Sequence, residues 1–288
     1  MALRMKNQLL LASLFTVSAV TSAQAAPSVE FGGVVEVSVS KAGSAEAQSK
    51  VDTVELAITG KVSEQVSAEV VLLDEDLGSD DHTGLAVDTA IISLATAAGN
   101  VSLGKMKVPF TTGETNMVTD SAALEEPVGY GVALSGALQT VEYTIYVADP
   151  DKDYTGAADQ AVDAFGDVAG LNINIPLMES VSLNGSFISL NGNHSWSGAL
   201  LASRGHTSLI VEATSMDGEA KSRSNVELAY DLGFGTAALA VQEAGDGTDY
   251  VLAGFSTEIY QNTSLNLEAN NNTTADEITY TAQVAVEF

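Results

Sequence analysis

From Val29 to the end of the chain, apolar side chains recur at every second position. In VEYTIYV, Val141, Tyr143, Ile145 and Val147 share one parity, with Glu142, Thr144 and Tyr146 on the other. GLNINIPL sets Leu171, Ile173 and Ile175 against Asn172 and Asn174, and NVELAYDLG sets Val226, Leu228 and Tyr230 against Glu227 and Ala229. SLNLEAN repeats the pattern with Leu265, Leu267 and Ala269 against Asn266 and Glu268. A helix turns by ~100° per residue and would smear these faces, so the segments are strands. About sixteen are predicted, near 28–41, 50–60, 65–75, 84–95, 100–108, 127–136, 138–148, 167–176, 179–190, 194–203, 206–216, 223–231, 235–244, 249–260, 262–270 and 277–288. In LAVDTAIISL the alternation falters around Asp88, which predicts a bulge there.

The links alternate in length. Short ones are expected at 60–64, 96–100, 135–138, 203–206 and 231–235, and longer acidic or Asn/Gly-rich ones at 41–50, 74–84, 109–127, 149–167, 217–223, 244–249 and 270–277. Short turns at one end and long loops at the other describe an all-β, up-and-down antiparallel transmembrane barrel. With an even number of strands, both chain ends lie on the short-turn, periplasmic side. A soluble sandwich or a β-helix also alternates. Against these stand the nearly continuous apolar rows and the lack of any 20–50-residue repeat.

The last strand, ITYTAQVAVEF (278–288), places Phe288, Val286, Val284, Ala282, Tyr280 and Ile278 on one parity. YTAQVAVEF resembles the carboxyl-terminal signal of outer-membrane barrels, which implies recognition of Phe288 by the barrel-assembly machinery. A lipid-facing row can end on an aromatic ring at the interface while the carboxylate stays in water.

The amino terminus fits this reading. Arg4 and Lys6 precede an apolar run, Leu9 to Val20, and Ala23-Gln24-Ala25 fits an A-x-A cleavage site. Residues 1–25 are therefore expected to be a signal peptide and 26–288 the barrel, in a bacterial outer membrane facing lipid and lipopolysaccharide. An uncleaved anchor is the alternative, but the run is short of the ~20 residues a spanning helix needs. No cysteine is present, so disulfides, zinc–thiolate sites and Cys nucleophiles are excluded. Formal charge is −27, and −29 once residues 1–25 and their two cations are removed. Such a chain repels nucleic acid phosphates and attracts cations. With 45% hydrophobic residues it is not a disordered acidic tail.

One stretch stands out: VSLGKMKVPFTTGETNMVTDSAALEE, Val101 to Glu126. Parity turns Lys105 and Lys107 inward if Met106 and Val108 face lipid, and Pro109 ends the strand because proline has no N–H for the ladder. TVELAITGKVSEQVSAEVVLLDED, LAVDTAIISL and GKMKVPFTTGETNMVTD together resemble the LbtU family of siderophore porins, over roughly residues 29–130. The resemblance implies an outer-membrane channel for import of ferric siderophore. Strands begin soon after the expected cleavage site, with no preceding plug, so passive passage is expected.

Inward parity collects Glu55, Glu142, Glu227, Glu268 and Glu287, with Glu69 and Glu212 added. With Lys105, Lys107, Glu114 and Asp120 they are the candidate pore-lining and constriction residues, the two lysines setting up a transverse field. An acidic lumen repels polyanions, so a general or cation-preferring porin is the alternative, and a non-transport adhesin or anchor is another. Carboxylates that merely solvate the lumen, and lysines that snorkel to head groups, are the plainer accounts of the same residues. Asp149, Asp151 and Asp153 have the spacing that opens a calcium loop, but Tyr154 and Gln160 occupy the positions of its glycine and glutamate, so a solvated acidic loop is expected. LLDEDLGSDDH (72–82) reads the same way. The histidines, His82, His194 and His206, fall in loops or at strand ends, and only Asp80 to His82 offers a rim-protease pairing, so no enzyme and no cofactor are expected. Trp196 reads as an interfacial anchor.

Overall fold

Sixteen strands close on themselves with no free edge. The computed structural model describes residues 27–77, 84–112, 114–119, 128–150, 168–190, 193–216 and 222–288. The strands are β1 (Ser28–Ala42), β2 (Gln48–Lys61), β3 (Val66–Leu77), β4 (Ala86–Thr96), β5 (Gly99–Lys107), β6 (Val128–Leu138), β7 (Val141–Pro150) and β8 (Val168–Met178). They continue as β9 (Val181–Leu190), β10 (Asn193–Arg204), β11 (Thr207–Ser215), β12 (Arg223–Asp231), β13 (Thr236–Glu243), β14 (Asp249–Tyr260), β15 (Thr263–Asn272) and β16 (Glu277–Glu287). Each pairs antiparallel with its sequence neighbours, and β16 returns to β1. Every strand therefore has two partners for its backbone groups, which a hydrocarbon surround demands.

The alternation in the sequence is the alternation of faces. Leu239 opposes Leu228 and Ile92 opposes Leu103, all four exposed on the outside. Exposed aromatic rings gather at both ends of the wall. Tyr130, Phe187, Trp196 and Tyr280 lie toward the long-link end, and Phe31, Tyr230, Phe234, Tyr260 and Phe288 toward the short-turn end. An apolar waist between two aromatic girdles suits a bilayer and not water.

Both ends of the barrel sequence meet at the short-turn side. Phe288 donates its N–H to the Gly33 carbonyl at 3.1 Å, and Gly33 donates to the Phe288 carbonyl at 3.0 Å. The terminal aromatic thus lies on the seam between β1 and β16.

Strand positions follow the expected pattern closely, with two informative differences. The bulge lies where it is expected, with a register shift between Val71 and Leu72 that leaves Asp88 unmatched on β4. The link expected at 135–138 belongs to β6 instead, and the turn is Gln139-Thr140, where Gln139 takes φ 60°. Ser135-Gly136 mimics a turn signal, but Gly136 is the floor on which the Tyr143 ring lies, its hydroxyl donating to the Ala98 carbonyl at 3.1 Å. The other departure is β9–β10, whose link on the long-loop side is only 191–192. Residues 1–25, Asp80 to His82, Asp120, Asp151 and Asp153 lie outside the described residues.

Candidate functional site

The site begins where β5 ends. Pro109 has no N–H to continue the ladder, and the chain turns inside the barrel. Met106, Val108 and Phe110 are buried in one cluster with Ala133, Tyr146, Ala148, Val168 and Ile188, from β6 to β9. The expectation that Met106 and Val108 face lipid is corrected here. The β4–β5 register puts Leu103 outside, opposite Ile92, so the even positions after it turn inward. Lys105 lies opposite Ala90 and Tyr130 on the face of Leu103, its Nζ 5.8 Å from the Tyr130 ring centroid. Lys107, opposite Val128, shares this outer parity, so the expectation that both lysines turn inward is corrected by the register. Lys107, at the strand's end, reaches Asp88 at 3.4 Å and stands within the electrostatic reach of Glu55.

Beyond Phe110 the chain follows the inner wall. Thr112 donates its N–H (3.0 Å) and its hydroxyl (2.7 Å) to the two oxygens of Glu212 on β11. Thr115 donates its hydroxyl to Glu227 Oε2 on β12 at 2.7 Å, while Asn116 donates its N–H to Oε1 at 2.8 Å and its side-chain amide to the same oxygen. Val118 and Thr119 donate their N–H groups to Glu268 Oε2 on β15 at 2.7 and 3.0 Å, and the Thr119 hydroxyl donates to Oε1. Ser197 of β10 adds a donor to Glu212 at 3.2 Å. These carboxylates are 1%, 1% and 4% exposed. Hydrogen bonds to charged acceptors contribute ~1.5–3 kcal/mol each, so the three carboxylates hold the loop firmly to the wall.

Between the second and third carboxylates, Met117 drops into a hollow of small residues. It is buried with Ala229, Ala238, Ala240 and Leu252, with Tyr250 packed alongside. Gly254 completes the floor, since a Cβ there would stand 3.0 Å from Met117 Sδ. Gly254→Leu is therefore expected to unseat the loop by overpacking of ~1–3 kcal/mol. Limited proteolysis of the folded barrel should show new cleavage within 109–119. Gly198→Ala, with nothing within 4 Å of the added Cβ, should leave the digest unchanged.

Among the described residues the loop thus lines the wall from β5 around to β15, with Ile91 of β4 packed against the cluster at its root, and leaves the sector β16–β1–β3 uncovered. On that sector Glu55 opposes Val34, and Glu69 opposes Thr59 and Ile91, both carboxylates on the inner face and within each other's field. Asp52 accepts from Ser38 at 2.9 Å and from Gln283 at 3.2 Å and pairs with Lys50 at 3.1 Å.

The expected acidic lining therefore divides. Glu55 and Glu69 lie on the uncovered sector, whereas Glu212, Glu227 and Glu268 lie beneath the loop. Glu142 sits beside the Gln139-Thr140 turn, away from the loop, and accepts from Asn174 at 3.0 Å. Glu114 is on the loop itself, between Thr112 and Thr115. Asp149 lies near the end of β7, opposite Tyr130. His194 lies 5.4 Å from Phe187 by ring centroids, and His206, in the β10–β11 turn, is 3.4 Å from Asp231. The residues that sequence reading missed are the donors Thr112, Thr115, Asn116 and Thr119, and the seat of Met117. Their signal is TTGETNMVT, a run of hydroxyl and amide side chains around one methionine.

No protein-family model matches the chain, and no curated protein matches it. Solved structures do. A multiple mutant of the Rhodopseudomonas blastica porin aligns with TM-score 0.68 at 13% identity, over 91% of this chain and all of that one. A triple mutant of the same porin gives 0.66 at 13% identity with the same coverage. A loop-deletion mutant of OmpT, an outer membrane protein of Vibrio cholerae, aligns with TM-score 0.63 at 11% identity, over 92% of this chain and all of that one. At such identities the likeness establishes the fold, a porin-type barrel of sixteen strands.

Proposed function

We propose that this chain is a channel of the bacterial outer membrane through which small water-soluble solutes diffuse, cations in preference to anions. The observation that carries this reading is the division of the lumen acids. Three are consumed in holding the loop to the wall, and the sector left uncovered keeps Glu55 and Glu69 on its inner face. Low-dielectric walls strengthen the field of such charges along a narrow path. The residues 1–25 and the terminal Phe288 suit export and barrel assembly, and the neighbouring porin structures suit a channel.

Ferric-siderophore import draws its support from the GKMKVPFTTGETNMVTD resemblance. The wall charge weighs against it for carboxylate-type siderophores, whose ferric complexes are anionic. Liposome swelling with the mature protein tests both readings. Glucosamine is expected to enter faster than gluconate of similar size. Swelling by an anionic ferric siderophore at the rate of glucosamine would favour the siderophore reading, and no swelling by any solute would favour an adhesin or anchor.

A further inference from the structure

We propose that Asp52 is a selectivity-setting residue of the channel. Placed by a β-bulge beside Lys50, it cancels that lysine's charge at the long-link end of the sector β16–β1–β3. Cations then reach Glu55 and Glu69 without crossing a positive field. The inference rests on the channel reading and assigns part of its charge preference to a pair far from the loop.

The bulge comes first. Glu36 of β1 faces Thr53 of β2 and Val37 faces Val51, so Asp52 is an extra residue with no partner across this ladder. A bulge re-aims a side chain. Here it lets Asp52 join Thr53 and Glu55 on the inner face, although strict alternation allows only every second residue there.

The Asp52 carboxylate gathers one cross-strand row. Gln283 of β16, Ser38 of β1 and Lys50 of β2 stand opposite one another in register, and all three reach it. Its Oδ1 accepts from the Ser38 hydroxyl at 2.9 Å and faces Lys50 Nζ at 3.1 Å, while Oδ2 accepts from the Gln283 amide at 3.2 Å. Gln283 is itself fixed, its Oε1 accepting from Asn266 at 3.0 Å, and Asn266 accepts from the Ser256 hydroxyl at 2.7 Å. A chain of donors thus runs across β14, β15 and β16 to Asp52 and holds its carboxylate in one place. Ser38, Asn266 and Gln283 are buried, whereas the Lys50 and Asp52 side chains are 41% and 15% exposed, so the charged end of the chain borders water.

Such a pair contributes little to stability. Its effect on passing ions is larger. Opposite charges 3.1 Å apart present a dipole, whose field fades faster than that of a lysine alone. Low-dielectric walls extend the reach of an uncancelled charge. The bulge on β4, at the edge of the sector, has the same form. Its extra residue, Asp88, stands 3.4 Å from Lys107, and both lie within the field of Glu55. In each case an aspartate inserted out of register sits against a lysine.

Reversal potentials between unequal potassium chloride solutions near ~0.1 M, where the Debye length is ~10 Å, read the charge. Asp52→Asn keeps the shape of the side chain and an acceptor oxygen but no longer cancels Lys50. The potassium-to-chloride permeability ratio is expected to fall ~2–5-fold, the effect of one charge at ~4–8 Å in water. Lys50→Met, which leaves the carboxylate in place, should raise the ratio by a similar factor. The double variant Asp52→Asn with Lys50→Met should return close to wild type, because the pair is then removed whole. An Asp52→Asn channel with wild-type selectivity, or a double variant that stays at the Asp52→Asn value, overturns the assignment while leaving the channel reading intact. Should Asp52→Asn fail to assemble, Lys50→Met decides alone, and a ratio unchanged from wild type overturns the assignment. Absence of conductance in the wild type overturns the channel reading instead.

Discussion

Gly33→Leu is expected to leave the barrel unclosed. A Cβ at Gly33 would stand 2.4 Å from the Glu55 carbonyl oxygen on β2 and 2.7 Å from the rim of the Phe288 ring. The first contact is with backbone that two ladders hold in place, so a rotamer change does not relieve it. The second displaces the terminal ring from the seam, with the pair of bonds between Gly33 and Phe288 beside it. Overpacking a well-packed site costs ~1–3 kcal/mol, and here it falls on both sides of the first strand. Closure is what removes free strand edges, so the loss is amplified into misassembly. The compact, heat-modifiable band on a gel should largely vanish for Gly33→Leu. Gly185→Ala, where nothing lies within 4 Å, should retain it. A Gly33→Leu chain that assembles like wild type would show that Phe288 is not seated on this glycine.

The second large effect concerns charge. Glu55→Gln with Glu69→Gln should abolish most of the cation preference, because these carboxylates lie on the sector the loop leaves uncovered. A unit charge 4 Å from a passing ion is worth ~1 kcal/mol in water, roughly a fivefold change in local cation concentration, and more beside a low-dielectric wall. Salt at 0.15 M screens beyond ~8 Å, so only groups close to the path contribute. Glu142→Gln, at the turn end and bonded by Asn174, should shift the reversal potential much less. Equal shifts from both variants would mean that the lumen is wide enough for all its acids to act alike.

Much of the fold is legible in the residues themselves because two solvents impose period two. The run VEYTIYV yields β7, and even the faltering LAVDTAIISL announces the bulge at Asp88. What parity does not reveal is what covers a face. Glu55 and Glu227 have the same signature, a carboxylate between outward apolar neighbours. One lies on the uncovered sector and the other is buried, because residues 115 and 116 reach it from 112 and 111 positions away. Lys105 misleads for a related reason. Assigning lysines inward forces Met106 and Val108 out, whereas the interior holds an apolar cluster that takes Met106, Val108 and Phe110 together. Lysine, with its long stem and its charge near Tyr130 at the girdle, tolerates the outer face better than the rule of polar-inside allows.

The channel claim meets its most direct test in a planar bilayer carrying the mature protein between unequal potassium chloride solutions. Stepwise conductance with a reversal potential of the cation-selective sign is the expected result. A silent bilayer, or a reversal potential of the anion-selective sign, would contradict the account.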